Sequence, residues 1–187
     1  LNGDGVIDDY DKMPIGFCDI PEITYGFGGA IEWKGFDVSI FFQGTARVSL
    51  FEEGSTIVPF SSGYKNNDGF LRGVMENRWT VDNPDPNARY PRTIRPSDAL
   101  DNNNTKKSSF WVRNAAFLRL KNAEIGYTFP KRWMEKMAIQ NLRLYVSGVN
   151  LLTWAPDVHL FDPDLGSGDG RKYPPTRVFN VGLNINF

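Results

Sequence analysis

The first twelve residues carry oxygen ligands at the spacing of a calcium-binding loop. If the position before Leu1 is counted as the first, suitable residues fill positions 3, 5, 7, 9 and 12 of the D-x-[DN]-x-[DN]-G pattern. These residues are Asn2, Asp4, Val6, Asp8 and Asp11. Ca²⁺ is a hard cation that prefers oxygen ligands, and Gly5 at position 6 permits the sharp turn. The segment therefore predicts a structural Ca²⁺ site, to which Val6 contributes only its backbone carbonyl.

Two features separate this segment from a complete EF-hand. Asp11 stands where the pattern has a longer, bidentate Glu, and Pro14 follows too soon for an exiting helix. The alternative interpretation is a hydrated turn of Asp, Asn and Gly that only shapes a surface loop. Under both interpretations the role is structural rather than catalytic.

The other reactive side chains are few. The chain of 187 residues has one cysteine, Cys18, and one histidine, His159. This inventory argues against a disulfide framework, a multi-histidine metal site and a Ser/His/Asp centre. The net charge of -1 gives no electrostatic reason to bind nucleic acid. We therefore expect neither an enzyme nor a nucleic-acid-binding protein.

Two further groups of loop residues are weaker candidates for a functional site. Asp162, Asp164 and Asp169 lie near His159, and we interpret them as solvated carboxylates because Pro163 and the adjacent glycines give no fixed geometry. Several loop aromatics could stack on sugar rings, pack the loops together or contact a partner protein. They are Phe60, Tyr64, Phe70, Trp79 and Trp111.

The elements that would hold these loops are β-strands. Five segments alternate apolar and polar residues over about 10 positions, the length of a tilted transmembrane strand. They lie in residues 23–33, 36–45, 117–129, 141–154 and 176–187. No apolar run approaches the roughly 20 residues of a transmembrane helix. Near Lys121–Asn122 the apolar face of the third segment switches sides, which predicts a one-residue β-bulge.

The connections between these strands alternate between short and long. The first pair is joined by Lys34–Gly35, a predicted hairpin turn. In the short connection 130–140, Trp133 and Met137 stand at i and i+4, which predicts one short amphipathic helix. Antiparallel order then places both long, polar loops at one end, as in bacterial outer-membrane barrels. The predicted segments are 1–22 (extracellular acidic loop), 23–50 (strand pair), 51–116 (extracellular loop), 117–154 (strand pair), 155–175 (extracellular loop) and 176–187 (terminal strand).

A soluble antiparallel sheet with one buried face would show the same alternation. The inequality of the loops favours a barrel, and so do aromatic residues at strand ends, which form girdles at membrane interfaces. These aromatics are Trp33, Phe129, Trp133, Trp154 and Phe187. The predicted fold class is therefore all-β, with five antiparallel strands of a transmembrane β-barrel.

Ordered motifs along the whole chain resemble the C-terminal part of SusC/RagA-type TonB-dependent outer-membrane transporters of Bacteroidota. They are residues 35–39 (GFDVS), 42–44 (FQG), 78–79 (RW), 91–92 (PR), 117–122 (FLRLKN), 126–130 (GYTFP), 142–153 (LRLYVSGVNLLT), 173–177 (YPPTR) and 182–187 (GLNINF). No single motif is specific, but their number and order are.

The resemblance implies that the chain forms the last five strands of a barrel of about 22 strands. It implies import of glycans or peptides across the outer membrane, with a SusD-like surface lipoprotein as partner. TonB would act through an N-terminal part of the parent protein that this sequence does not contain. The alternative function is a soluble, calcium-stabilised β-sheet module that binds carbohydrate at the cell surface.

Overall fold

The computed structural model describes residues 2–6, 8–54, 57–58, 71–93, 107–134, 138–168 and 170–187. Seven strands occur in this part of the chain: β1 (Ile23–Trp33), β2 (Phe36–Ala46), β3 (Ser49–Phe51), β4 (Val112–Asn114), β5 (Phe117–Thr128), β6 (Asn141–Trp154) and β7 (Val178–Asn186). The helices are short: α1 (Arg72–Glu76), α2 (Lys131–Met134) and 3₁₀ turns at Asp9–Asp11, Ser109–Trp111 and Pro163–Leu165. Among the described residues, no helix is both long and apolar enough to cross a membrane.

The five long strands form one antiparallel sheet in the order β1-β2-β5-β6-β7. This arrangement confirms the predicted all-β fold class with five antiparallel strands. The two short strands β3 and β4 pair separately, beyond the ends of β2 and β5. Within the described residues, β1 and β7 each have a neighbour on one side only.

The hairpin between β1 and β2 has the two-residue turn that the sequence predicts. Trp33 pairs with Phe36, so Lys34 and Gly35 alone make the connection. Both have positive φ, 49° for Lys34 and 87° for Gly35. This conformation matches the twist of the flanking strands, and Gly35 adopts it without a steric penalty.

The predicted bulge in β5 is present at Lys121. Phe41 and Phe42 are adjacent on β2, yet they pair with Asn122 and Leu120, which leaves Lys121 without a partner on that strand. The register between β5 and β6 also shifts between Leu120 and Asn122. The extra residue explains why the apolar side of β5 changes from even to odd positions.

In the short connection after β5, α2 begins at Lys131 and contains Trp133, in agreement with the predicted helix. Met137, the other residue of the predicted amphipathic pair, lies outside the described residues. The backbone amide of Trp133 donates to the carbonyl of Pro130 at 3.0 Å. This end of the sheet, with its two short connections, is called the hairpin end below.

The two faces of the sheet differ in chemistry. Cross-strand register places the odd positions of β1 and β7 on the same face as the even positions of β6, and all three sets are largely apolar. That face is exposed in this chain, and Val181 and Phe187 are 76% and 80% accessible. An apolar band of this extent requires a nonaqueous or protein cover.

The opposite, polar face is interrupted by a few apolar side chains, among them Phe41. Its ring lies over the glycines of β1: a Cβ built on Gly26 would lie 2.9 Å from Phe41 Cζ. A Cβ on Gly28 would overlap the Ile40 carbonyl oxygen. The glycines of β1 therefore make room for an aromatic ring that interrupts the polar pattern.

The hydrophobic core lies in the long loops rather than against the sheet. One cluster contains Ile57, Val58, Val74, Tyr90 and Trp111, with Leu160 and Phe161 packed on it. A second contains Val48, Leu50, Ala115 and Val158. Because both clusters join the two long loops, the described parts of 47–116 and 155–170 form one packed body, called the loop unit below.

Candidate functional site

The acidic segment at the N-terminus folds into a closed loop. Asp11 closes it, since its Oδ1 accepts from the Asn2 amide at 2.7 Å and its Oδ2 accepts from the Asp8 amide at 3.1 Å. Gly5 has φ +82°, in the left-handed region. A glycine at this position of a calcium loop serves the same sharp turn.

The five predicted ligands are linked by hydrogen bonds within the loop. Asn2 Oδ1 accepts from the Asp4 amide at 3.0 Å, and Asn2 Nδ2 donates to Asp4 Oδ2 at 2.9 Å. The Val6 amide donates to Asp4 Oδ1 at 2.8 Å and, with the Asn2 side chain, lowers the pKa of Asp4. The amides of Asn2 and Asp8 similarly lower the pKa of Asp11. Both carboxylates are therefore ionised at neutral pH.

Asp8 has a different local role. Its Oδ1 accepts from the Tyr10 amide at 2.8 Å and caps the 3₁₀ turn Asp9–Asp11. In the described part of the chain, no group of three or more His, Cys, Asp or Glu is arranged to hold a metal ion. The structure thus connects the five predicted ligands, and the calcium site stays a prediction.

The loop unit contains a buried carboxylate that the sequence analysis missed. Glu52 is 1% exposed and accepts from Arg113 Nε at 2.9 Å. The Tyr90 hydroxyl donates to Glu52 Oε2 at 3.4 Å, and Arg89 Nη2 lies 3.6 Å from Oε1. Burial, and then the charge of Glu52, raise the pKa of Tyr90, so its hydroxyl stays protonated as a donor.

Arg119 of β5 connects the sheet to the loop unit. Its side chain is 2% exposed, and its Nη2 donates to both oxygens of Asp162 at 2.6 and 2.7 Å. Nη1 donates to Asp164 Oδ2 at 3.0 Å, and Nε donates to Thr153 Oγ1 at 3.0 Å. The guanidinium of Arg119 therefore forms ion pairs with two aspartates of the last long loop.

These contacts bear on the interpretation of Asp162 and Asp164 as solvated carboxylates. For Asp162 that interpretation was wrong, because its side chain is 18% exposed and binds a buried arginine from another part of the chain. Asp164 lies in the 3₁₀ turn and pairs with the same arginine, while its side chain stays 45% exposed. Asp169 lies outside the described residues, and His159 is exposed.

Further hydrogen bonds, most of which involve a backbone group, also join the two long loops. The Phe51 amide donates to Ser167 Oγ at 3.1 Å, and the Gly168 amide donates to the Phe51 carbonyl at 3.0 Å. Asp157 Oδ2 accepts from the Asn114 amide at 3.0 Å, and its Oδ1 accepts from Arg89 Nη1 at 3.2 Å. The loop unit is therefore held by ion pairs and backbone bonds as well as by its core.

The loop aromatics fall into three groups. Trp111 is buried in the core of the loop unit, so for this residue the structure shows the loop-packing alternative. Trp79 is half-buried. The other three, Phe60, Tyr64 and Phe70, lie outside the described residues.

A second arginine cluster lies on the polar face near the hairpin end. Arg143 of β6 donates through Nε to Asp37 Oδ1 at 2.9 Å and through Nη2 to Glu124 Oε1 at 2.6 Å. These residues come from three adjacent strands. The cluster therefore ties β2, β5 and β6 together across the polar face.

Comparisons with known proteins agree with this architecture. The chain is 30% identical over 200 residues to TonB-dependent receptor P26 of Formosa agariphila and 26% identical over 195 residues to TonB-dependent receptor SusC of Bacteroides thetaiotaomicron. Both alignments cover 100% of this chain but only 19% and 17% of the relatives. No protein-family model matches.

Among solved structures, the RagAB peptide importer in its closed-closed state matches with a TM-score of 0.67 and 24% identity. The match covers 92% of this chain and 18% of that one. At this identity the structural match shows the fold alone. The fold is that of part of a β-barrel wall.

The five-stranded sheet, with one apolar and one polar face and a packed loop unit at one end, defines a segment of a large β-barrel. The chain belongs to the SusC/RagA-type TonB-dependent receptors and corresponds to a C-terminal segment of such a receptor. It spans less than a fifth of the length of the relatives that it matches. Those relatives are receptors and an importer rather than enzymes, in agreement with the residue inventory.

Proposed function

We propose that this chain forms part of the wall and outer loops of an outer-membrane nutrient importer. Two observations support the proposal: the whole-chain similarity to TonB-dependent receptors, and a sheet whose exposed face is apolar along all five strands. Membrane-spanning β-barrels present such a face to lipid and a polar face to the lumen. The location is therefore the outer membrane.

The proposed orientation follows from the two ends of the sheet. Bacterial barrels have short turns on the periplasmic side and long loops outside. The Lys34–Gly35 turn and α2 then lie on the periplasmic side, whereas the loop unit and the acidic segment lie outside. The role of this chain is architectural, because its strands and loops shape the path that a nutrient takes.

The proposed partners belong to the whole transporter. RagAB is described as a peptide importer, and SusC is a TonB-dependent receptor. By analogy, we infer a SusD-like surface lipoprotein over the loop unit and TonB acting through the N-terminal part of the parent protein. The proposed cargo is a peptide or a glycan. The acidic segment would bind Ca²⁺ and stabilise an outer loop.

The test uses the full-length transporter in its own cells. Cells with and without the transporter are grown with either a peptide digest or a polysaccharide mixture as the limiting nutrient. We expect slower growth without the transporter on one of the two, and a protonophore should abolish that advantage. The transporter should also be recovered from outer membranes only with detergent.

Equal growth of both strains on all nutrients would contradict the import proposal. Recovery as a monodisperse, detergent-free protein would contradict the membrane location and favour the soluble carbohydrate-binding module instead. Purification of the transporter without any associated surface lipoprotein would contradict the proposed partner but not the barrel.

A further inference from the structure

A small pocket lies in the loop unit beside β3. Its volume is about 140 Å³. Phe51, Glu52, Glu53, Lys107 and Trp111 line it, and of the two acids only Glu53 has an exposed side chain. Aromatic faces next to carboxylates form an environment suited to a cation that carries hydrophobic methylene groups.

The side chain of Lys107 shows how a cation interacts with this wall. Its Nζ lies 2.8 Å from Glu53 Oε2 and 5.3 Å from the centroid of the Phe51 ring. A primary ammonium thus contacts both a carboxylate and an aromatic face. The Lys107 side chain is 68% exposed, so the contact can open without unfolding the loop unit.

The two acids of the pocket differ in availability. Glu52 is buried and accepts from Arg113 and Tyr90, which hold it in the interior of the loop unit. Glu53 is partly exposed, and Lys107 is its ion-pair partner. Replacement of Lys107 at Glu53 by another cation would therefore leave the Glu52 cluster in place.

We propose that this pocket binds the lysine side chain of a peptide, with Lys107 as an internal occupant that the ligand displaces. The exchange is a replacement of one primary ammonium by another, so the charge of the pocket is unchanged. The inference rests on the proposed import function, and it specifies a cationic peptide as the substrate class.

The dimensions of the pocket favour a peptide over an amino sugar. A lysine ammonium stands at the end of an extended methylene chain, the same shape that Lys107 already brings to the wall. In an amino sugar the ammonium is attached directly to a ring, which is wider than a methylene chain. The aromatic walls and the volume of about 140 Å³ fit the narrow ligand.

The test is calorimetric titration of the full-length transporter in detergent. The first probe is a tripeptide, acetyl-Ala-Lys-Ala-amide. Its counterparts carry acetyllysine or norleucine at the centre, and glucosamine dimer is the amino-sugar probe.

Lys107→Ala is expected to bind the lysine peptide about 5-fold more tightly than wild type, because the internal competitor is removed. Glu53→Gln is expected to bind it about 5-fold more weakly.

Two variants outside the pocket wall serve as matched controls, one in the loop unit and one just after it. Lys172 donates to the Leu165 carbonyl, and Glu76 pairs with Arg72, both outside the pocket wall. Lys172→Ala and Glu76→Gln should leave the affinity unchanged. The acetyllysine and norleucine peptides should not bind.

Equal affinity of wild type and Lys107→Ala would overturn the proposal, as would preferential binding of glucosamine dimer. The outcome is separable from that of the growth test. A transporter that imports polysaccharide and ignores the lysine peptide removes the pocket proposal alone. A transporter that binds the lysine peptide through Glu53 but supports no growth on any nutrient removes the import proposal alone.

Discussion

The guanidinium of Arg119 donates to both carboxylate oxygens of Asp162, at 2.6 and 2.7 Å, across 43 positions in the chain. Arg119 belongs to the FLRLKN motif of β5, whereas Asp162 begins the 3₁₀ turn in the last long loop. Through this pair a strand of the sheet helps to fix the position of the last long loop.

Removal of this arginine should loosen the loop while leaving the sheet intact. Arg119→Met leaves Asp162 and Asp164 without their partner, and we expect local destabilisation of about 2 kcal/mol, reduced from the fully buried case because Asp164 is half exposed. Hydrogen exchange of the Leu165 amide, which donates to the Asp162 carbonyl, should become about 30-fold faster. Arg72→Met, which breaks an exposed pair, should change exchange by less than about twofold. Unchanged exchange in Arg119→Met would contradict this role of the pair.

Two adjacent glycines of β1 should respond differently to the same substitution. In Gly28→Ala the new Cβ overlaps the Ile40 carbonyl oxygen, and the backbone of β2 must move, at a cost of about 1–3 kcal/mol. In Gly29→Ala the Cβ meets nothing within 4 Å. The measurement is the temperature at which the folded full-length barrel unfolds on a gel. Equal unfolding temperatures for the two variants would contradict the close contact between Gly28 and the Ile40 carbonyl oxygen.

Calcium binding by the acidic segment is tested by titration of the full-length transporter. Wild type should bind one Ca²⁺ in this segment with a Kd of about 10⁻⁴ M, the range of extracellular modules. The double variant Asp4→Ala plus Asp8→Ala should lose this event. Asp9 occupies no ligand position and pairs with Lys12, so Asp9→Ala should bind like wild type. Identical isotherms for wild type and the double variant would exclude the site.

The acidic loop should keep its hydrogen bonds to a low pH. Because the pKa of Asp11 is lowered in the folded loop, its contribution is present above the ordinary value of 3.8 and is lost as the pH falls through the lowered value. Protection of the Asn2 amide, corrected for intrinsic exchange, should therefore be constant from pH 7 to about 4 and fall below that. In Asp11→Asn this fall should disappear. A midpoint above 3.8 in wild type would refute the assignment.

Much of the sheet was predictable from the sequence because strand geometry is local. Side chains alternate between two faces, so the exposed apolar positions of β7 are visible in residues 178–186 alone. The bulge at Lys121 was detectable for the same reason, since one extra residue reverses the alternation. The hairpin turn at Lys34–Gly35 was predictable because only two residues separate the two alternating segments.

The acidic loop was predictable only in part. Asn2 contacts Asp4 and Asp11 in the structure, and each of the three lies within ten positions of the others, whereas their role as calcium ligands stays a prediction. The spacing did not reveal that Asp8 caps the following 3₁₀ turn. Short-range ligand patterns and capping patterns use the same residue types, so the sequence alone could not separate the two roles.

The contacts within the loop unit could be seen only in the tertiary structure. Glu52 and Arg113 are separated by 61 positions in a loop that the sequence shows only as polar and irregular. Arg119 of β5 and Asp162 of the last long loop are separated by 43 positions. No local period encodes such pairs, because their meeting depends on where β2, β5 and β6 end in space. By itself, then, the sequence determined the five long strands, their faces and the family, but not the short strands β3 and β4. The fold decided which loop charges are buried together and which residues line the pocket beside β3.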